Sequence, residues 1–231
     1  MALVDLVLFY AVFLISMTFH EAAHAWSAKR LGDATAYHGG QVSLSPWPHI
    51  RRQPFGMVIL PLISLTLMGW PFGYASTPYN PYWADRQPRK AAWMALAGPA
   101  ANFCLLLITA LFIRVGIALQ WFAIPSAISF FQITSGQGTG LLQTAAALLS
   151  MLFSMNLLLM TLNLIPLPPL DGSSAVLLLL PAAIGRRIQS ILHRSIYGRI
   201  AMLLIAWHLL TPMFHRLLRL ALRLLYPAVE F

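Results

Sequence analysis

His20 and His24 flank a glutamate in the stretch Phe19-His20-Glu21-Ala22-Ala23-His24. On a helix, residues i and i+4 share one face, with Cβ atoms roughly 6 Å apart. Two imidazoles in that relation can hold one Zn²⁺. Glu21 then stands beside the metal, placed to take a proton from a water. The same spacing arises by chance in soluble helices, where it carries no chemistry. Here it lies in an apolar segment that begins at Leu3. Ionisable side chains inside a membrane helix are costly and usually mark function. Three of them in five residues, with no basic neighbour before Lys29, are poorly explained as packing.

A catalytic zinc takes three protein ligands and keeps a fourth position for water. The six acids of the chain are Asp5, Glu21, Asp33, Asp85, Asp171 and Glu230. Asp5 and Glu230 are near the termini, and Asp33 and Asp85 flank basic clusters. Only Glu21 and Asp171 sit among long apolar runs, so Asp171 is the carboxylate at matching depth. The alternative for Asp171 is a helix cap, since Gly-Ser-Ser follows it. Asn102 is a polar amide in apolar company, read either as an interhelical hydrogen bond or as a site residue. His38 and His49 read as interfacial residues rather than ligands. The single Cys104 lies in an apolar run, which rules out a disulfide framework and a Cys zinc site. It is expected to be a small buried apolar residue.

The elements that must hold these residues are membrane elements. Of 231 residues, 59% are hydrophobic and 9% charged, and the mean hydropathy is +0.73. A soluble domain needs more polar surface than that. The 15 Lys+Arg against 6 Asp+Glu give a formal charge of +9. The bases cluster between apolar runs, which points to anionic lipid headgroups and orientation signals rather than nucleic acid.

The first helix is expected over about 3–28, ended by Lys29-Arg30 and broken by Leu31-Gly32-Asp33. It lacks a basic n-region and carries the chemistry, so it should be a retained helix and not a signal peptide. Basic loops face the cytoplasm, so it should run inward and place the site in the cytoplasmic half. Residues 34–55 read as a hairpin or extended loop, with Gln41–Ser45 alternating as a short strand does. Residues 56–76 are apolar but interrupted by Gly and Pro. Basic clusters precede and follow them, so a re-entrant element, helix then strand, fits better than a plain extra span. Helices are expected over 91–119 and 141–164, joined by an outer loop over 120–139. The run 175–183 is apolar and ends at Arg186-Arg187. A basic stretch (Arg186, Arg187, His193, Arg194, Arg199) leads to a helix of about 200–214. Arg216, Arg219 and Arg223 then repeat at helical spacing among leucines, as an interfacial segment would. If 200–214 crosses, those arginines lie outside, against the positive-inside rule.

Three motifs, H20-E-A-A-H24, G98-P-A-A-N102 and N163-L-I-P-L-P-P-L-D171-G, stand in an order that resembles the site-2 protease family of intramembrane zinc metalloproteases. They cover the first two-thirds of the chain, and the third motif is highly specific. The resemblance implies cleavage of substrate transmembrane helices within the bilayer. It implies zinc held by His20, His24 and Asp171, with Glu21 as base. It implies a substrate-holding role for Asn163, with a weaker match for the same role at Asn102. There is no room for a PDZ domain between Asn102 and Asn163, nor for a CBS pair after Asp171, so the chain resembles the compact branch.

The expectation is therefore an all-α polytopic membrane protein with about four to six transmembrane helices. A small membrane-associated β-hairpin or re-entrant element should follow the first helix. One metalloprotease domain should fill residues 1–231, with its catalytic core over about 1–185 and a C-terminal helical segment over about 186–231. One Zn²⁺ per chain, transmembrane protein substrates, the lipid bilayer and no nucleic acid are expected, with homo-oligomers left open. The expected location is a bacterial inner membrane, with the site towards the cytoplasm. The competing class is a catalytically silent metal-binding adaptor or a metal transporter. A transporter should space its ligands along a path, whereas these converge at one depth.

Overall fold

The computed structural model of the chain describes residues 3–138, 140–179, 196–227 and 229. Four helices among them are long and apolar enough to cross a bilayer: α1 (Leu3–Leu31), α6 (Pro88–Ala118), α7 (Leu141–Leu164) and α9 (Ile196–Leu225). Shorter helices lie between: α2 (Thr35–His38), α3 (Pro46–Arg52), α4 (Leu60–Met68), α5 (Pro81–Arg86) and α8 (Gly172–Ala175). The all-α polytopic class holds. α1, α6 and α7 pack together, and α9 lies chiefly against α7.

α1 runs past its expected end, because Lys29 and Arg30 occupy its last turn and Gly32, with φ +106°, breaks it. No strand forms over 41–45. Ser45 caps α3 by accepting from Trp47 N, and Pro46 fills the first helical position, so capping chemistry overrides the alternating pattern. The small hairpin of the chain is elsewhere. β1 (Phe122–Ala123) pairs antiparallel with β2 (Ser135–Gly136) in the loop between α6 and α7.

Residues 55–80 fold back on themselves. A π-helical turn (Phe55–Ile59) leads into α4, Gly69 (φ +70°) reverses the chain, and residues 70–80 return without regular structure. The two limbs lie side by side. Tyr74 N donates to Gly56 O (3.1 Å), Phe72 N to Ser64 Oγ (2.7 Å) and Gln53 Nε2 to Ser76 Oγ (2.6 Å). The segment thus folds as a helix followed by an extended return limb, and that limb is irregular rather than the expected strand. Asp33, just past α1, fastens the far end of that limb by accepting from Asn80 N at 2.8 Å. Burial raises the Asp33 pKa, but hydrogen bonds from Thr35 and Asn80 outweigh it and hold the carboxyl below its ordinary value.

One continuous helix replaces the expected 200–214 helix and its separate interfacial segment. Arg114 Nη1 donates to Leu225 O (3.0 Å) and the Tyr226 hydroxyl to Ile133 O (2.8 Å). Arg216, Arg219 and Arg223 therefore lie towards the end of the bundle that carries the α6–α7 loop, opposite the Lys29 end. Cys104 is exposed rather than buried. It shares the outward face of α6 with Phe103, Leu107, Ile108 and Leu111, and composition alone cannot separate a lipid-facing position from a core one. The expected apolar run from 180 onward and the basic cluster at 186–194 lie outside the described residues.

Candidate metal centre

His20, His24 and Asp171 come together although the chain separates the last from the first by most of its length. His20 and His24 sit one turn apart on α1, where they are 4% and 5% exposed. Asp171 arrives from the turn after α7, in the proline-rich stretch that cannot continue that helix. Gly172 makes the arrival tight: a Cβ there would lie 2.5 Å from Ile165 O and 2.6 Å from Leu164 O. Asp171 stands at the N-terminal cap position of α8, yet its side chain makes no capping bond. Its carboxylate points elsewhere: Oδ2 lies 3.0 Å from His20 Nε2 and 3.2 Å from His24 Nε2. The two Nε2 atoms are 3.0 Å apart. On α6, Gly98 makes room for the pair, since a Cβ there would overlap His24 Nε2 and lie 2.6 Å from His20 Nε2.

The far side of each ring fixes its tautomer. His24 Nδ1 lies 2.7 Å from the Met94 carbonyl oxygen, which can only accept, so Nδ1 carries the proton. His20 Nδ1 lies 2.7 Å from Asn102 Oδ1. The amide is oriented by its other end: Asn102 Nδ2 donates to Asn156 Oδ1 (2.9 Å) and to Ser16 O (3.4 Å). Asn156 Nδ2 in turn donates to Leu152 O (2.8 Å) and Ser16 Oγ (3.1 Å). Asn102, Asn156 and Ser16 are all fully buried. Asn102 thus makes interhelical hydrogen bonds that join α6 to α1 and α7.

Both histidines therefore aim an Nε2 lone pair at Asp171 Oδ2, itself buried with no hydrogen-bond donor. Three electron-pair donors at such spacing repel one another until a cation lies between them. Tetrahedral Zn²⁺ with ligand bonds of about 2.0 Å needs donor separations of about 3.3 Å, and the observed 3.0, 3.0 and 3.2 Å come close to that. The residues fit the ion. Among the described residues this is the one cluster of three His, Cys, Asp or Glu side chains that could hold a metal.

Glu21, 4% exposed, stands outside the ligand set. Its Oε2 lies 2.7 Å from the Thr77 hydroxyl. Asn163 is in the last turn of α7, half-buried, with Nδ2 donating to Leu159 O at 3.1 Å. His49 is buried and donates from Nε2 to Ser43 O (3.0 Å), while His38 is exposed. Neither joins the cluster. Thr77, Asn156, Ser16 and the Met94 carbonyl were not foreseen from the sequence. A threonine before a proline in a polar break was the one visible signal for Thr77.

The chain is similar to two proteins named as zinc metalloproteases. The chain is 31% identical over 175 residues to "Putative zinc metalloprotease YwhC" of Bacillus subtilis, covering 76% of this chain and 70% of that one. It is 29% identical over 174 residues to "Putative zinc metalloprotease Rip2" of Mycolicibacterium smegmatis, covering 74% of this chain and 56% of that one. The chain thus spans little more than half of the second relative's length. No solved structure matches. Residues 8–206 match Peptidase family M50, which takes in all three motifs, and the chain belongs to that family of site-2 protease-like metalloproteases.

Proposed function

We propose that the protein is an intramembrane zinc metalloprotease that hydrolyses peptide bonds within or next to transmembrane segments of other proteins. The observation that carries this is the convergence of His20 Nε2, His24 Nε2 and Asp171 Oδ2 beside the buried Glu21. These three side chains hold Zn²⁺, and bound Zn²⁺ supplies Lewis acidity and lowers the pKa of a bound water. Glu21 takes a proton from the attacking water and returns it to the amine released when the C–N bond breaks. Met94 and Asn102 keep the imidazoles in the tautomer that offers Nε2 to the metal. We assign Asn102 to that orienting role in place of substrate contact, because both ends of its amide are committed.

A helical substrate hides its carbonyls in hydrogen bonds and must unwind before it can be cut. Residues 75–79 of the return limb make no backbone–backbone hydrogen bonds among the described residues. Their free N–H and C=O groups, next to Glu21, can pair with an extended substrate. Asn163, at the end of α7, holds the unwound chain. The Lys29 end of the bundle faces the cytoplasm of a bacterial inner membrane, following the basic residues there. A transporter would need further ligands along a path, and the described residues offer a single cluster.

The test is cleavage of a single-span reporter in proteoliposomes. Glu21→Gln should cut roughly 10²–10⁴-fold more slowly, the usual share of a general base, with zinc unchanged. It should also trap crosslinked substrate, whereas Asn163→Ala should lose cleavage and crosslink alike. Cleavage by Glu21→Gln at the wild-type rate would sink the protease mechanism in favour of a silent metal-binding adaptor.

A further inference from the structure

Glu21 is a carboxylate in an apolar bundle, and a buried carboxylate requires hydrogen-bond donors. Its side-chain partner is Thr77, whose Oγ1 lies 2.7 Å from Glu21 Oε2 and 2.9 Å from the Glu21 carbonyl oxygen. A hydroxyl has one proton, so it serves one of these at a time, and the charged oxygen is both nearer and the stronger acceptor. Thr77 is 9% exposed, so water competes little for the contact.

The local sequence prepares Thr77 for this. Pro78 follows it and disfavours helical backbone at position 77, which keeps the segment extended. The β-branch limits the threonine to few rotamers. Its neighbours are tied by side chains on either side: Ser76 by Gln53 (2.6 Å), and Asn80 by Asp33 (2.8 Å). Between these ties the backbone has no ladder to hold it. The Thr77 hydroxyl is thus a direct link from the irregular return limb to the glutamate that follows the first histidine.

We propose that Thr77 is the positioning residue of the catalytic base. Its hydroxyl fixes one oxygen of Glu21, setting the side-chain rotamer and leaving the second oxygen to exchange protons with water and the leaving amine. The base is then aimed by the same limb that offers its free backbone to substrate, so a shift of that limb moves the base. This inference rests on the reading of Glu21 as base.

The experiment measures kcat and KM on the reporter substrate, with zinc per chain, for Thr77→Val, Thr77→Ser and both in a Glu21→Gln background. Thr77→Val keeps the shape and removes the hydroxyl. It should lower kcat roughly 10–100-fold, the range set by a hydrogen bond to a charged group, with KM and zinc nearly unchanged. Thr77→Ser should recover most of the rate. With Glu21→Gln already present, Thr77→Val should cost little more, because the two act as one unit. If the valine variant does not accumulate, Thr77→Ala, which fits the same space, takes its place. Wild-type kcat in the valine variant, equal losses in valine and serine, or full additivity with Glu21→Gln would each overturn the proposal. Those results leave the base intact so long as Glu21→Gln alone is inactive, whereas an active Glu21→Gln removes the base itself.

Discussion

The two sides of the site are held by different kinds of structure. The side of the proposed metal ligands is built mainly on long helices. α1 supplies both histidines, α6 supplies Gly98, Asn102 and the Met94 carbonyl, and α7 supplies Asn156 and ends where the turn to Asp171 begins. Every supporting amide there is fully buried and bonded at both ends. The side of the proposed base is built on a limb without secondary structure, and Thr77 is what reaches Glu21 from it. Metal affinity needs ligand geometry held to fractions of an ångström, which packed helices provide. A substrate that must unwind needs a partner with free backbone, which an irregular limb provides. Damage on the first side should therefore show as lost zinc, and damage on the second as lost rate with zinc retained.

The largest effect should come from the ligands themselves. Purified protein should carry about one zinc per chain. His20→Ala, His24→Ala and Asp171→Ala should each bring that close to zero in metal analysis after dialysis against a weak chelator. A full complement of zinc in Asp171→Ala would remove it from the ligand set and leave the two-sided picture without its third anchor.

A smaller loss should follow one bond further out. Asn102→Leu leaves the His20 Nδ1–H without its acceptor and frees that ring to turn. Loss of such an outer partner lowers metal affinity by roughly 10–100-fold. Asn156→Leu acts through Asn102 and should fall at the lower end of that range. Cobalt substitution gives a second reading, since the visible absorption of bound Co²⁺ reports ligand geometry and should change in Asn102→Leu before occupancy is lost. Unchanged zinc affinity in both variants would show that helix packing alone orients His20.

What the sequence disclosed and what it hid divide along the same line. The placement of His20 and His24 on one face, with Glu21 between them, was legible because their relation is local, a helical spacing inside an apolar run. That Asp171 would join them was legible by census, because acids are so few in a membrane chain. Three of the four long helices were legible by length and hydropathy, while the fourth was read as a shorter helix and a separate interfacial segment because arginines interrupt its apolar run. The supporting bonds were not. Thr77–Glu21 and Asn102–Asn156 join residues 56 and 54 positions apart, and no periodicity encodes such pairings. The strand expected at 41–45 failed because alternation over five residues is weaker than a serine cap followed by Pro46. Asn102 was visible as an oddity, but the sequence alone left open whether its amide made an interhelical hydrogen bond or held a substrate.

The smallest effect should appear at Met94, and it probes the ligand side most finely. His24 and His20 are oriented by different means: His24 by a backbone carbonyl, His20 by a side-chain amide. Substitution at position 94 changes the side chain and leaves the carbonyl on its helix. Met94 is buried, and a Met-to-Leu exchange nearly conserves volume, so it should cost less than about 1.5 kcal/mol of stability. Zinc affinity of Met94→Leu should stay near wild type while Asn102→Leu falls, even though the two positions serve equivalent nitrogens. Competition with a zinc-sensitive dye measures both on one scale. Should Met94→Leu weaken zinc as much as Asn102→Leu, the His24 ring is held by contact with the Met94 side chain, and the α6 backbone is not the anchor that the 2.7 Å bond makes it.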